Sequence, residues 1–257
     1  MSKPRYLRRA LLFVTTATVF ALRLDAQEAG HAAHEWDYGK EHGPAHWGAL
    51  NPEFGTCASG HHQSPIDIAT TEKADLPPIE FRYGASPLRI VDNGHTIQVN
   101  YEPGSSIRVG EHEYVLKQFH FHQPSEERVH GKRHGMSLHL VHADAGGQLA
   151  VVAVLLDAGA ENALVGQLWN NLPKEEGKEE RRNGVRINAA DLLPADRGYY
   201  TFEGSLTTPP CTENVTWFVL KRPVTVSTGE IAQFAKEYPD DARPTQPIYD
   251  RIVKETR

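Results

Sequence analysis

The segment GQLAVVAVLLD, residues 147–157, restricts the fold of this chain more than any other feature. It is apolar at odd and at even positions, so a strand formed here would be buried on both faces. A strand of that kind lies inside a sheet, with a packed layer on each face. The segment therefore predicts a central, buried strand.

Most of the remaining chain also has strand character. Runs rich in β-branched and aromatic residues, separated by Gly, Pro, Asn and Asp, predict strands within residues 81–102, 105–122, 136–144, 148–157 and 215–226. Helical patterns occur at residues 161–172 and 227–238, and the second begins with Ser227 and Glu230 in capping-box spacing. Loops are predicted for residues 76–81, 171–183 and 238–247, the charged run 174–182 being a solvated loop or short helix. The predicted fold class is mostly β (α+β).

The size and charge of the chain limit its function classes. A length of 257 residues is enough for one large domain with a sizeable core. We find no internal repeat and no dividing linker, and we predict a single domain over residues 34–255. A net charge of −6 argues against nucleic acid and against an anionic membrane as the main partner.

The N-terminal residues have the pattern of a secretory signal. Four basic residues precede an apolar run, residues 10–22, that is short for a bilayer span. With cleavage after Ala26, residues 1–26 are predicted to be the signal peptide of a periplasmic or secreted protein. The alternatives are an amphipathic first helix or a membrane anchor, and the Arg8–Arg9 pair also permits twin-arginine export.

Cys57 and Cys211 are the two cysteines of the chain. Export to an oxidising compartment favours a disulfide between them, and the alternative is two unpaired buried thiols. Chain-entropy models give several kcal/mol for a bridge that closes a loop of about 150 residues.

Two histidines lie one residue apart in the run KQFHFHQPSEE, residues 117–127. In a strand, His120 and His122 would share one face and the two phenylalanines the other, as in half of a metal site. With 14 histidines in 257 residues, roughly one such pair is expected by chance, so the spacing alone decides nothing.

A third ligand is available in the run MSLHLVH, residues 136–142. Catalytic zinc uses three protein ligands and leaves one position for water. If this strand neighbours the first, His139 could complete a three-histidine site, whereas strand parity places His142 on the opposite face. On pattern alone, separate surface or core roles for the three histidines remain an equal alternative.

Seven motifs, taken together and in order, resemble the α-class carbonic anhydrases. They run from Trp36 to about Arg251 and are WDYGKEHGPAHW, HQSPIDI, DNGHTIQV, QFHFHQPSE, LHLVHAD, GSLTTPPCTENVTW and RPTQP. The resemblance is closest to the exported bacterial type, whose members are often dimers, and so suggests a homodimer by analogy. It implies a large, mainly antiparallel central sheet with short peripheral helices.

The resemblance also implies a chemistry. His120, His122 and His139 would bind Zn2+, and zinc-bound hydroxide would hydrate carbon dioxide reversibly to bicarbonate and a proton. Thr207 would accept the hydroxide proton, and Glu126 would accept the proton of the Thr207 hydroxyl. His95 would be the proton shuttle, although the DNG sequence before it equally predicts an exposed hairpin histidine.

Further residues match the two walls of the family's pocket. The apolar wall, where the small substrate would bind, corresponds to Val141, Val151, Leu206 and Trp217, with Thr208 also near the substrate. The polar side corresponds to Tyr38, Asn93 and Gln98, and Gln118 would bond a zinc histidine. For the apolar residues, plain core packing is the alternative.

Three departures from the family pattern cluster behind His139. Most relatives have Glu where this chain has Ser137, His where it has Glu127, and often Tyr where it has Phe202. These changes predict the loss of the usual carboxylate partner of His139, with Ser137 or water in its place. The expected consequence is weaker zinc retention, because losing such a partner can cost 10–100-fold in affinity or activity.

Three other functions are compatible with the sequence. A catalytically silent, carbonic-anhydrase-like binding module would typically have lost a zinc histidine, and this chain keeps all three. A periplasmic zinc-holding protein would use the further histidines at 31, 34, 42, 46, 61 and 62. A zinc hydrolase acting on esters is expected only as a side activity.

Overall fold

A computed structural model describes residues 35–257. The predicted signal peptide, residues 1–26, lies outside the described residues. Helices are few and short; they are α1 (Trp47–Leu50), α2 (Thr56–Ser59), α3 (Ala163–Trp169) and α4 (Thr228–Glu237), with 3-10 turns at Pro52–Phe54 and Ala189–Leu192. Among these residues, no helix has the length and apolarity needed to cross a membrane.

Strands make up most of the regular structure. They are β1 (Asp67–Ile68), β2 (Glu72–Ala74), β3 (Ile79–Arg82), β4 (Ser86–Asp92), β5 (Ile97–Asn100), β6 (Ser106–Val109), β7 (His112–His122), β8 (Arg128–Val129), β9 (Lys132–Arg133), β10 (Met136–Ala143), β11 (Leu149–Ala158), β12 (Glu180–Ile187), β13 (Tyr199–Ser205), β14 (Glu213–Leu220), β15 (Val224–Val226) and β16 (Lys254–Thr256). The predicted mostly β, single-domain fold is confirmed.

One sheet of 13 strands organises the described part of the chain. Its main path runs β12-β4-β5-β7-β10-β11-β14-β13-β16-β2. Neighbours are antiparallel except at three places, where β14 and β15 run parallel to β11, and β2 runs parallel to β16. Strands β1, β8 and β9 form a separate small sheet. The central strand predicted from residues 147–157 is β11, which is buried on both faces over most of its length.

Strand alternation divides the central strands between two layers. On β7 and β10, Phe119, Phe121, Leu138 and Leu140 belong to the large core on one face of the sheet. The alternate residues of β11 and β14, Val151 and Trp217 among them, form the apolar cluster on the other face. The two-residue period of the strand therefore places Phe119 and Phe121 on one face and His120 and His122 on the other, as predicted.

Local sequence signals fix both longer helices. The Asn162 side chain accepts hydrogen bonds from the amides of Leu164 and Val165 and so begins α3. Ser227 and Glu230 form the predicted capping box, in which each side chain accepts from the other residue's amide. These contacts satisfy backbone donors that the first helical turn would otherwise leave unpaired.

Several strands were wrongly assigned or missed, and three of them are longer than three residues. Residues 76–81 were predicted to be a loop, yet Ile79–Arg82 pairs with β6. The predicted loop 171–183 ends early, because Glu180–Ile187 forms β12 at the sheet edge. Residues 180–182 of the charged run therefore belong to a strand, in which Arg182 forms an ion pair with Glu180. Strand β13 was not predicted, and it pairs with β14 along its length.

The predicted disulfide is present. Cys57, in α2, is bonded to Cys211, and the two are separated by 154 residues. Both are buried in a small core with Trp47 and Phe54. The bridge therefore ties the loop between β13 and β14 to the N-terminal segment.

Candidate metal centre

Three histidines on the central strands bring their rings together. His120 and His122 lie on β7, and His139 is the direct partner of His120 on β10. Their ligand atoms all lie within 4.8 Å of one another, the one such group of three in the described residues 35–257. The three predicted ligands are therefore positioned to hold a metal ion.

Hydrogen bonds fix the tautomers of the two histidines on β7. The Nδ1 atom of His120 lies 2.8 Å from Oε1 of Gln118, and that of His122 lies 2.8 Å from the carbonyl oxygen of Asp241. Both oxygens can only accept, so each Nδ1 carries the proton. Each Nε2 then has its lone pair free, as a metal ligand requires.

His139 has the opposite tautomer. Its Nε2 lies 3.0 and 3.2 Å from the two carboxylate oxygens of Glu127 and therefore donates to them. Its Nδ1 keeps the lone pair and faces the site, 3.8 Å from Oε2 of Glu126. Three lone pairs thus converge, two from Nε2 atoms and one from an Nδ1 atom.

The donor set fits a metal ion. Nε2 of His122 is buried and has no hydrogen-bond partner. A buried polar atom left unpaired costs about 1–3 kcal/mol, so a ligand at this nitrogen would relieve a real penalty. Three imidazole nitrogens suit divalent first-row metals, and three protein ligands leave a fourth position open.

Burial keeps two of the rings neutral. It lowers the pKa of His120 to about 3, helped by the nearby His139. Burial likewise lowers the pKa of His122 well below the ordinary value. For His139, burial acts in the same direction, but the carboxylates of Glu127 and Glu126 outweigh it and raise the pKa.

Glu126 is the buried carboxylate nearest the free nitrogens. Burial raises its pKa to about 7, against a lowering by His139, by the amide of Arg243 and by the Thr207 hydroxyl. Its Oε1 accepts from the Arg243 amide at 2.8 Å, and its Oε2 lies 3.6 Å from Nε2 of His122. Glu126 and Thr207, predicted to act in series, therefore meet beside the histidines.

The expected loss of the carboxylate partner of His139 is wrong. Glu127 supplies that carboxylate from the loop between β7 and β8, and it is fully buried. Ser137 does not bond His139; its hydroxyl accepts from the amide of Glu126 at 3.2 Å. Phe202 stacks at 6.1 Å on Trp217, whose ring meets the edge of His139 at 5.0 Å.

A cavity of about 110 Å³ opens in front of the histidines on β7. The four residues predicted for the polar side line this cavity: Tyr38, Asn93, Gln98 and Gln118. The predicted proton shuttle His95 and the predicted substrate contact Thr208 line it as well. The Asn93 side chain accepts from the amides of His95 and Thr96 and so shapes the turn. The His95 ring stacks on Trp36 with 3.7 Å between ring centres.

The residues predicted for the apolar wall lie together on the face of the sheet that carries the three histidines. Val151 and Trp217 belong to the apolar cluster there, and Val141 and Leu206 are half-buried against it. Val141, Val151 and Trp217 form one row across β10, β11 and β14. Through Trp217 this apolar cluster contacts His139, so the three histidines lie between an apolar and a polar wall.

Sequence reasoning missed three contributors to the site. Asp241 and Arg243 were placed in the predicted loop 238–247, yet both are buried and bond His122 and Glu126, respectively, through their backbones. The Arg243 guanidinium is held by Gln63, Ser64 and Cys57, although burial lowers its pKa to about 10. Of the two, only Arg243 had a sequence signal, as the first residue of the RPTQP motif. Trp36 was noticed as part of a motif but not as the ring under His95.

Comparisons with known proteins agree with this geometry. A family model described as eukaryotic-type carbonic anhydrase matches residues 42–257. Carbonic anhydrase of Klebsiella pneumoniae is 44% identical over 87% of this chain and 92% of its own length. Carbonic anhydrase of Nostoc sp. is 42% identical over 86% and 85%.

Solved structures give the same result. A hyperthermostable carbonic anhydrase from an active hydrothermal vent chimney superposes with a TM-score of 0.84 and 44% identity. That match covers 86% of this chain and all of the other. The family model spans most of the chain, and the relatives are similar over nearly their whole length. The chain therefore belongs to the eukaryotic-type, or α, carbonic anhydrase family.

Proposed function

We propose that this protein hydrates carbon dioxide reversibly to bicarbonate and a proton with a zinc ion held by His120, His122 and His139. The observation that carries the proposal is the convergence of three imidazole lone pairs between a polar cavity and an apolar cluster. Bound there, zinc would act as a Lewis acid that lowers the pKa of water to about 7, a value for which carbonic anhydrase is itself the standard example.

The chain's own residues would orient the nucleophile. The Thr207 hydroxyl interacts with the Glu126 carboxylate and would donate a hydrogen bond to it. Its oxygen is then left to accept one hydrogen bond from an attacking oxygen in the cavity. Because Glu126 is itself held by the Arg243 amide, the direction of that bond is fixed.

The apolar side of the site suits the substrate. Carbon dioxide has no net charge and little polarity, so it gains from surface that water does not solvate well. Val141 and Leu206 are half-buried in front of the apolar cluster and would contact it, with Val151 and Trp217 behind them. Thr208 lines the polar cavity and would bound the substrate position on that side.

We further propose that the protein acts outside the cytoplasm, in the periplasm or as a secreted protein. The disulfide supports this, because such bonds persist in oxidising compartments. The signal peptide and a homodimer stay predictions. A zinc-holding role gains no support from His42, His46, His61 and His62, which form no further ligand group within residues 35–257.

Replacement of Thr207 tests the proposed mechanism. We expect Thr207→Ala to lower kcat/KM for carbon dioxide hydration by 10–100-fold, because the nucleophile loses its oriented acceptor. Stopped-flow hydration assays measure this, with zinc content determined on the same samples. Thr207→Ser is the matched control, since it keeps the hydroxyl, and should retain most of the activity. Equal rates for the Ala variant and wild type would remove Thr207 from the mechanism.

His95 is expected to act on a separate step. Its imidazole lines the cavity beside the proposed metal ligands, and imidazole is a side chain that can relay a proton to buffer. His95→Ala should therefore lower kcat in weak buffer about 10-fold or more while kcat/KM stays nearly unchanged. Added imidazole should restore much of the loss.

Trp36 supplies a control for the relay. Trp36→Phe leaves His95 in place and keeps an aromatic ring beneath it, so kcat should fall much less than in His95→Ala. An unchanged kcat for His95→Ala in weak buffer would mean that the proton leaves by another route.

A further inference from the structure

Glu127 supplies the carboxylate that bonds His139, and it does so from an unexpected part of the fold. It lies in the short segment after β7, not on a strand, and its side chain is fully buried. Both of its carboxylate oxygens point at one atom, Nε2 of His139, at 3.0 and 3.2 Å. No other hydrogen bond of this carboxylate is found among the described residues.

The backbone of Glu127 is held in place by a chain of hydrogen bonds. Its carbonyl oxygen accepts from the Ser125 hydroxyl at 2.9 Å. The same hydroxyl accepts from the amide of His134 at 2.9 Å, which links the segment to the turn before β10. The carboxylate is therefore presented to His139 by a fixed loop and not by a flexible side chain at the surface.

Ser137, on the same strand as His139, has a different role. Ser137 lies two residues before His139 on β10 and so shares its face of the strand. Its hydroxyl accepts from the amide of Glu126, which anchors the same loop that carries Glu127. Residue 137 thus supports the loop, and residue 127 contacts the ligand.

We propose that Glu127 is the positioning residue that fixes His139 for the metal and slows metal release, and that it does from the loop what a carboxylate at position 137 would do from the strand. The inference rests on the proposed zinc site, because it assigns a role toward that ion. By accepting from Nε2, Glu127 holds the ring with its Nδ1 lone pair toward His120 and His122. Such an outer partner sets both ring orientation and ligand basicity.

Zinc release from the holoprotein tests this without any use of the hydration reaction. Wild type, Glu127→Gln and Glu127→Ala are loaded with one zinc, and transfer to excess chelator is followed with time. We expect release about 10-fold faster for Glu127→Gln, which keeps the shape, and about 100-fold faster for Glu127→Ala. The visible spectrum of the cobalt(II)-loaded Gln variant should also shift, because the ligand field depends on the third imidazole.

Two further variants separate this role from a structural one. His134 and Asp157 form another histidine–carboxylate pair, at 2.9 Å, whose histidine is not one of the metal ligands. Asp157→Asn should leave the release rate and the cobalt spectrum unchanged. Adding Ser137→Glu to Glu127→Ala returns a carboxylate to the same face as His139 and should bring release to within about 10-fold of wild type.

The outcomes decide between the two proposals. Release at the wild-type rate from both Glu127 variants, or a folded double variant that releases zinc as fast as Glu127→Ala, overturns the role of Glu127. Should Glu127→Ala fail to fold, the isosteric Gln variant decides by the same criterion. If release follows the expected order but wild type hydrates no carbon dioxide, Glu127 keeps its role and the proposed function fails.

Discussion

His139→Ala is expected to carry no zinc and to lose carbon dioxide hydration by at least about 10³-fold. The Lewis-acid contribution of a catalytic zinc is worth several kcal/mol, and each 1.4 kcal/mol corresponds to a factor of ten in rate. The substitution removes one of three converging nitrogens and leaves the carboxylate of Glu127 without its donor. Zinc content by mass spectrometry and stopped-flow hydration check this together.

His142 provides the matched control for that variant. It lies on the same strand, three residues later, but on the opposite face, where its Nε2 is 2.7 Å from the Tyr83 hydroxyl. His142→Gln disturbs the same strand without touching the site and should retain zinc and most of the hydration rate. Full activity in a folded, zinc-free His139→Ala would show that the site has been assigned to the wrong residues.

The second large effect concerns stability. Replacing both Cys57 and Cys211 by Ala should lower the free energy of unfolding by about 5 kcal/mol, by the chain-entropy estimate for a loop of this length. The bridged residues are 154 apart, so the bond removes much freedom from the unfolded chain. Alanine is chosen because both sites are buried, and a serine hydroxyl there would need a partner.

Urea denaturation of the two proteins measures this difference. Both are compared without zinc, because metal binding would add its own stabilisation to each folded state. Wild type with and without reductant is the control, since reduction should reproduce the effect of the double variant. A difference below about 1 kcal/mol would mean that the bridge contributes little, as strain in a native disulfide can offset the entropy gain.

Strand periodicity indicated how the three histidines would be placed, although on pattern alone separate roles for them were an equal alternative. His120 and His122 share a face because they are two residues apart, and His139 was assigned by the same parity. The capping box at Ser227 and Glu230 could also be predicted from the sequence, because its partners are three residues apart. Signals of this kind lie within a few residues and depend little on the rest of the fold.

Long-range contacts could not be predicted in this way. The carbonyl oxygen of Asp241 bonds His122 across 119 residues of sequence, and the amide of Arg243 bonds Glu126 across 117. Two charged residues in a Pro-rich segment favour a solvated loop, and only the packed fold shows that they are buried. The segment that carries Asp241 and Arg243 is indeed a loop, but its backbone bonds two residues of the candidate metal centre.

Glu127 makes a contact that the sequence led us to expect would be absent. The sequence shows Ser137 beside His139, and from this a missing carboxylate was predicted. The loop after β7 folds back so that Glu127 reaches the ring from a position 12 residues away. Whether a strand neighbour or a loop residue supplies a contact depends on the path of the loop, which the period of the strand does not encode.

We propose that one zinc ion, held by three histidines, gives this chain its carbonic anhydrase activity. Stopped-flow hydration of carbon dioxide during titration of metal-free protein with zinc tests it most directly. We expect no hydration above background without metal, and a rate that rises linearly and levels off at one zinc per chain. Hydration by the metal-free protein, or a zinc-loaded protein at background rate, would contradict it.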